Sequence, residues 1–131
     1  MAKTSEKSAH RVLVVDDEAD VRATIRTILR LDGYAVEAVA NAEQALKLVE
    51  SNKFDLIIVD YSMPGMKGDE LARLIKERTL HQPILMITAY SEMLDCSLTP
   101  VTGVELVLCK PIKAGTFRKA VAAFFPPPDG D

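Results

Sequence analysis

Asp55-Leu56-Ile57-Ile58-Val59-Asp60 decides how this chain folds. Four apolar residues, most of them β-branched, stand in an unbroken row between two aspartates. A strand with one wet face alternates; an unbroken run is a strand covered on both faces, as in a parallel sheet. Related runs lie on either side: Val12-Leu13-Val14-Val15, Ala35 to Val39, Ile84-Leu85-Met86-Ile87 and Val104 to Cys109. The Ala35 run alternates, with Glu37 in its middle, and suits a sheet edge.

Helical patterns fill the gaps. Val21, Ile25, Ile28 and Leu29 recur at helical spacing, with Arg22, Arg26 and Arg30 on another face. Asp32-Gly33 stops that helix, glycine supplying the left-handed cap. Asn41 and Gln44 resemble a capping box ahead of Ala45, Leu46 and Val49. Leu71, Leu74 and Ile75 mark a third helix, acidic at its start and basic at its end. Ser91 can cap a short fourth over Ser91 to Leu98, confined by Pro100 and Gly103. Phe117, Val121 and Phe124 mark a fifth, ended by Pro126-Pro127-Pro128. Of Phe124 and Phe125, one is expected to face the core.

Strand and helix alternate five times, too few for an eight-stranded barrel. The expected architecture is α/β: a (βα)5 doubly wound, five-stranded parallel sheet of flavodoxin-like order 2-1-3-4-5. Residues 1–9 and 126–131 read as flexible tails, and 10–125 as the single domain.

Composition narrows the function. The 131 residues carry 16 Lys+Arg against 19 Asp+Glu, a net charge of -3, with no Trp. That disfavours direct nucleic-acid binding and aromatic base stacking. The polar N-terminus is not a secretory signal, and no apolar run approaches the ~18–20 residues of a membrane span. Cys96 and Cys109 form no CxxC pattern and read as reduced thiols; His10 and His81 lie in a polar tail and a loop, away from any ligand cluster. A cytoplasmic protein is the expectation.

In open α/β sheets ligands bind beyond the carboxyl ends of the strands. Asp16, Asp17 and Glu18 follow the first run, Asp60 the third, Thr88 the fourth, Lys110 and Pro111 the fifth. One rim thus collects carboxylates, a hydroxyl and an amine. Crowded carboxylates call for a hard divalent cation, and Mg²⁺ prefers one or two carboxylates plus waters and phosphate oxygens. With a lysine and a hydroxyl, the set suits phosphoryl transfer to an aspartate. Taken singly, Asp17 could be a helix cap and Lys110 a solvated charge; their joint arrival at four strand ends favours a site.

Over about residues 10 to 125 the chain resembles a response-regulator receiver domain of two-component signalling. The matching motifs are Val14-Val15-Asp16-Asp17-Glu18, Asp55 to Asp60, Met63-Pro64-Gly65-Met66-Lys67-Gly68, Ile87-Thr88-Ala89 and Lys110-Pro111. The resemblance implies Asp60 as phosphoacceptor. It implies Mg²⁺ held by Asp17, Asp60 and the Ser62 backbone carbonyl, with Asp16 acting largely through water. Thr88 becomes the switch hydroxyl, Lys110 the partner of the phosphoryl group or of Asp60, and Lys110–Pro111 a cis bond. The donor would be a histidine kinase or histidine phosphotransfer protein, and the output a changed protein surface. Such a chain is not an enzyme acting on external substrates, but assists its own phosphoryl transfer and autodephosphorylation. A monomer or weak dimer without an effector domain is expected.

Three positions depart from the family or tune it. Val107 stands where receivers commonly carry Tyr or Phe, and a valine cannot swing as a ring does. Ser62 and Tyr90 occupy positions that in this family tune phosphoryl lifetime, so the resemblance implies them as modulators, and Tyr90 is expected to shield the acyl phosphate in part. A haloacid-dehalogenase-type phosphohydrolase fits less well, since Asp16 is followed two later by Glu18 rather than Asp. A nucleotide or flavin site would place amide donors, not three acids, at the first turn. A scaffold receiver working without phosphorylation would lack Asp60, Thr88 or Lys110.

Overall fold

The computed structural model describes residues 9–89 and 101–125. Five strands, β1 (Arg11–Val15), β2 (Ala35–Val39), β3 (Leu56–Asp60), β4 (Ile84–Ala89) and β5 (Leu106–Lys110), form one parallel sheet in the order β2-β1-β3-β4-β5. The helices among the described residues are α1 (Ala19–Leu31), α2 (Ala42–Ser51), α3 (Gly68–Arg78) and α4 (Ala114–Ala122). The flavodoxin-like order read from the apolar runs is the one observed. The expected helix over Ser91 to Leu98 lies outside the described residues, as do residues 1–8 and 126–131 of the tails.

The unbroken runs are buried because both sheet faces are covered. Leu13, Val15, Ile57, Val59 and Ile84 face one side, against Ala42 and Ala45 of α2 and Leu71, Ala72 and Ile75 of α3. Val12, Val14, Leu56, Ile58, Leu85 and Ile87 face the other, against Ile25 and Leu29 of α1 and Phe117 and Val121 of α4. At ~1.5–3 kcal/mol for each large apolar side chain buried, these two layers dominate stability.

Local signals act where expected, with revisions. Gly33 (φ 93°) lets Tyr34 N–H reach Leu29 O at 3.1 Å and ends α1. Asn41 caps α2 by accepting from Gln44 N–H at 2.9 Å, and Gln44 returns the bond to Ala40 N–H, one residue earlier than a standard box. β5 begins at Leu106 rather than Val104 and is half-buried throughout. It is an edge strand, paired among the described residues with β4 alone. Phe124 and Phe125 both pack on the core, against the expectation that one would. Phe125 reaches past the helix end and stacks on His10 at 4.1 Å, so the supposed polar tail contributes a ring.

The expectation of reduced thiols is corrected: Cys109 is disulfide-bonded, and Cys96, outside the described residues, is the chain's only other cysteine. Spacing along a chain says nothing about separation across a fold, which decides whether two cysteines can bond. No helix among the described residues is long and apolar enough to cross a membrane.

Candidate functional site

The parallel register delivers the site. Val15 pairs with Val59, Asp60 with Ile87, and Ala89 with Lys110, so the residues at and beyond these strand ends share one edge. Asp16 N–H donates to Val39 O at 3.1 Å and Tyr61 N–H to Ile87 O at 2.8 Å, extending the sheet past β1 and β3. Carboxylate oxygens of Asp16, Asp17 and Asp60 lie within 4.8 Å of one another. Asp16 and Asp60 are buried, while Asp17 is exposed.

A lysine answers this charge. Lys110 Nζ sits 3.1 Å from Asp60 Oδ1 and 3.5 Å from Glu18 Oε1. Burial works against the lysine's charge, but Asp60, Asp16 and Glu18 outweigh it and raise its pKa. Asp60 remains under-compensated: burial first, then Asp16, push its pKa up to about 6, against the pull of Lys110. Asp16 is raised mainly by burial, despite the bond it accepts from Glu18 N–H. Among the described residues, Asp16 Oδ2 is buried with no hydrogen-bond partner. An all-oxygen donor set with an orphaned buried oxygen fits a hard divalent cation such as Mg²⁺.

The loop after β3 is shaped by one glycine. Gly68, first residue of α3, donates its N–H to Tyr61 O at 2.8 Å, and a Cβ there would lie 2.5 Å from Asp60 O. Only glycine lets α3 begin so close behind Asp60.

The motif residues otherwise fall as follows. Thr88 is fully buried at the end of β4, one residue past the partner of Asp60. The Lys110–Pro111 bond is cis. Ser62 is half-buried two residues after Asp60. Tyr90 lies outside the described residues. Val107 is half-buried on β5 and lines, with Cys109, Thr116 and Phe117, a cavity of about 260 Å³. Sequence reasoning missed two contributions: Glu18 as a second partner of Lys110, and Arg22, placed only on a polar helix face, whose Nη1 donates to Asp16 O at 2.6 Å. Neither had a signal in residue type; both depend on where the first turn of α1 lies.

The family model described as response regulator receiver domain matches residues 12–122. The chain belongs to that family. It is 32% identical over 118 residues to the chemotaxis protein CheY of Pseudomonas aeruginosa, covering 88% of this chain and 95% of that one. It is 40% identical over 100 residues to the probable transcriptional regulator ycf27 of Cyanidium caldarium, covering 76% of this chain. This receiver spans 38% of the length of ycf27, and 24% and 47% of two further curated regulators. Among solved structures it superposes on response regulator TrrA of Thermotoga maritima, in complex with Mg²⁺-BeF. That match has TM-score 0.80 and 31% identity, over 88% of this chain and 99% of TrrA. TrrA is also solved in complex with the histidine kinase ThkA; that match has TM-score 0.78 and 30% identity, over 88% of this chain and 98% of TrrA.

Proposed function

We propose that this receiver, residues 10–125, takes a phosphoryl group onto Asp60 from the phosphohistidine of a histidine kinase or histidine phosphotransfer protein. One observation carries this reading. Asp60 is buried, crowded by Asp16 and Asp17, and paired with Lys110 at 3.1 Å. Asp17, Asp60 and the Ser62 carbonyl would hold Mg²⁺, with Asp16 acting largely through water. The cation would neutralise the carboxylates and the charge on the phosphoryl oxygens.

The remaining work falls to the chain. Ionised Asp60 attacks phosphorus in line as the P–N bond to histidine breaks, leaving an acyl phosphate and a neutral imidazole. Lys110, already charged and aimed at Asp60, shifts its partner to a phosphoryl oxygen. Thr88, one residue past Asp60's partner on β4, donates its hydroxyl to the phosphoryl group. Its movement alters the exposed surface read by a target. Hydrolysis of the acyl phosphate resets the domain, and Tyr90 slows it by excluding water. The domain acts on itself rather than on a pool of substrates. With Val107 in place of a ring, coupling runs through the Thr88 end of β4. The net charge of -3 supports a protein partner, in the cytoplasm, rather than nucleic acid.

The test is direct. The chain is incubated with Mg²⁺ and a small phosphodonor such as acetyl phosphate, then weighed intact. One phosphoryl addition that needs Mg²⁺ and is lost in Asp60→Asn is expected. No addition, or addition elsewhere, refutes the proposal, and turnover of many phosphate esters favours a hydrolase instead.

A further inference from the structure

We propose that Arg22 is a positioning residue for the metal half of the site, acting through the backbone between Asp16 and Asp17. The inference rests on the proposed Mg²⁺ reading. Asp17 is the exposed member of the carboxylate trio, and among the described residues no hydrogen bond or ion pair holds its side chain. Its place is therefore inherited from the backbone before it. That backbone is held at three points. Asp16 N–H donates to Val39 O at 3.1 Å, Asp16 Oδ1 accepts from Glu18 N–H at 2.9 Å, and Asp16 O accepts from Arg22 Nη1 at 2.6 Å.

The last bond has the most consequence for Asp17. A peptide unit is planar, so fixing the Asp16 carbonyl fixes the nitrogen and Cα of Asp17 with it. The bond is charge-assisted and half-buried, which makes it short and strong. Arg22 is itself placed by the first bond of α1, its N–H donating to Glu18 O at 2.9 Å. The helix thus closes back on the end of β1 and stiffens the Asp16-Asp17-Glu18 turn.

Arginine has two opposed effects on a bound cation. Its charge repels the metal, while its hydrogen bond preorganises a ligand. Removing a partner that orients a metal ligand weakens metal binding by roughly 10–100-fold. Arg22 acts one peptide away from Asp17, so the low end of that range applies. If charge repulsion prevailed, removing Arg22 would tighten binding, and the sign of the effect separates the two.

The experiment is calorimetric titration of the full chain with MgCl2. The wild type is compared with Arg22→Ala, Arg22→Gln and Arg26→Ala, the last an exposed arginine on the same helix. Arg22→Ala is expected to raise the Mg²⁺ Kd about tenfold. Arg22→Gln keeps a neutral donor for the Asp16 carbonyl and recovers most of the loss, and Arg26→Ala leaves Kd as it was. Phosphorylation by acetyl phosphate supplies the second readout. The half-saturating Mg²⁺ concentration rises with Kd in Arg22→Ala, while the rate at saturating Mg²⁺ is recovered, a split that general loosening of the fold would not give. Unchanged or tighter Mg²⁺ binding in Arg22→Ala overturns the inference, as does a glutamine variant no better than alanine. If alanine prevents folding, Arg22→Met, which keeps the apolar stem and has no donor for the Asp16 carbonyl, takes its place: a Kd raised over the glutamine variant is expected, and a Kd equal to wild type overturns the inference. A wild-type chain that takes up no Mg²⁺ sinks the metal reading beneath it, a failure visible before any variant is made.

Discussion

Asp60→Asn is expected to stabilise the metal-free chain, increasingly so as the pH rises. The Asp60 side chain is 2% exposed, and its pKa stands at about 6 instead of 3.8 because of burial first and then Asp16. A carboxyl whose pKa is raised by folding keeps its proton better in the folded chain than in the unfolded one. At a pH below the unfolded value both states are protonated and nothing is lost. Between about pH 4 and 6 the unfolded chain ionises first, so stability falls as pH rises. Beyond that window the deficit is complete, and at ~1.4 kcal/mol per pH unit it reaches about 3 kcal/mol. Asparagine keeps the shape and removes the charge. Lys110 loses its 3.1 Å partner in exchange, which offsets part of the gain. A net gain of about 1–2 kcal/mol remains, on the scale of a buried group's desolvation. With unfolding entropy of ~2 cal/mol/K per residue over 131 residues, Tm rises by about 4–8 °C near neutral pH. Scanning calorimetry in EDTA from about pH 4 to 7.5 reads this, and the gap from wild type should close at the acid end. A variant no more stable than wild type at neutral pH, or a gap constant across the range, would refute the reasoning.

Three further outcomes follow from the same geometry. Mg²⁺ at about ten times its Kd should stabilise the wild type by ~1.4 kcal/mol, and Asp17→Asn should lose most of that gain in a thermal-shift assay. Gly68→Ala should cost about 1–3 kcal/mol by chemical denaturation and slow phosphorylation, because its Cβ meets the Asp60 and Tyr61 backbone at 2.5 and 2.8 Å. An unchanged midpoint would mean that α3 can start further from β3 without strain. Alkylation with iodoacetamide, read by intact mass, should label no cysteine in the oxidised chain and both after reduction. Labelling without reductant would remove the disulfide at Cys109.

Much of the site was legible because strand ends are a topological address. Once Val12 to Val15 and Leu56 to Val59 are read as neighbouring parallel strands, the aspartates after them must share a rim. Asp16, Asp17 and Asp60 meet there, within 4.8 Å. Along each inner strand the two faces then divide by parity, as Leu13 and Val15 against Val12 and Val14 do. Less was legible where contact depends on how an element turns or ends. Phe125 meets His10 just past the end of α4 at Ala122, where its N–H donates to Ala122 O. The pairing of Cys109 was likewise not in its spacing.

By itself, then, the sequence determined the periodicities, and through them the fold class and, with the flavodoxin-like order that fits five βα units best, which residue types arrive at one rim. These follow from short-range rules: apolar runs, glycine stops, acids at strand ends. The tertiary structure alone decided distance and burial. Lys110 comes within 3.1 Å of one buried carboxylate and 3.5 Å of an exposed one. Asp60 is left with a raised pKa while its neighbour Asp17 stays in water. Arg22 bends back from α1 to grip the end of β1. Electrostatic energy varies with separation and with the loss of solvent, and neither quantity exists until the chain is packed.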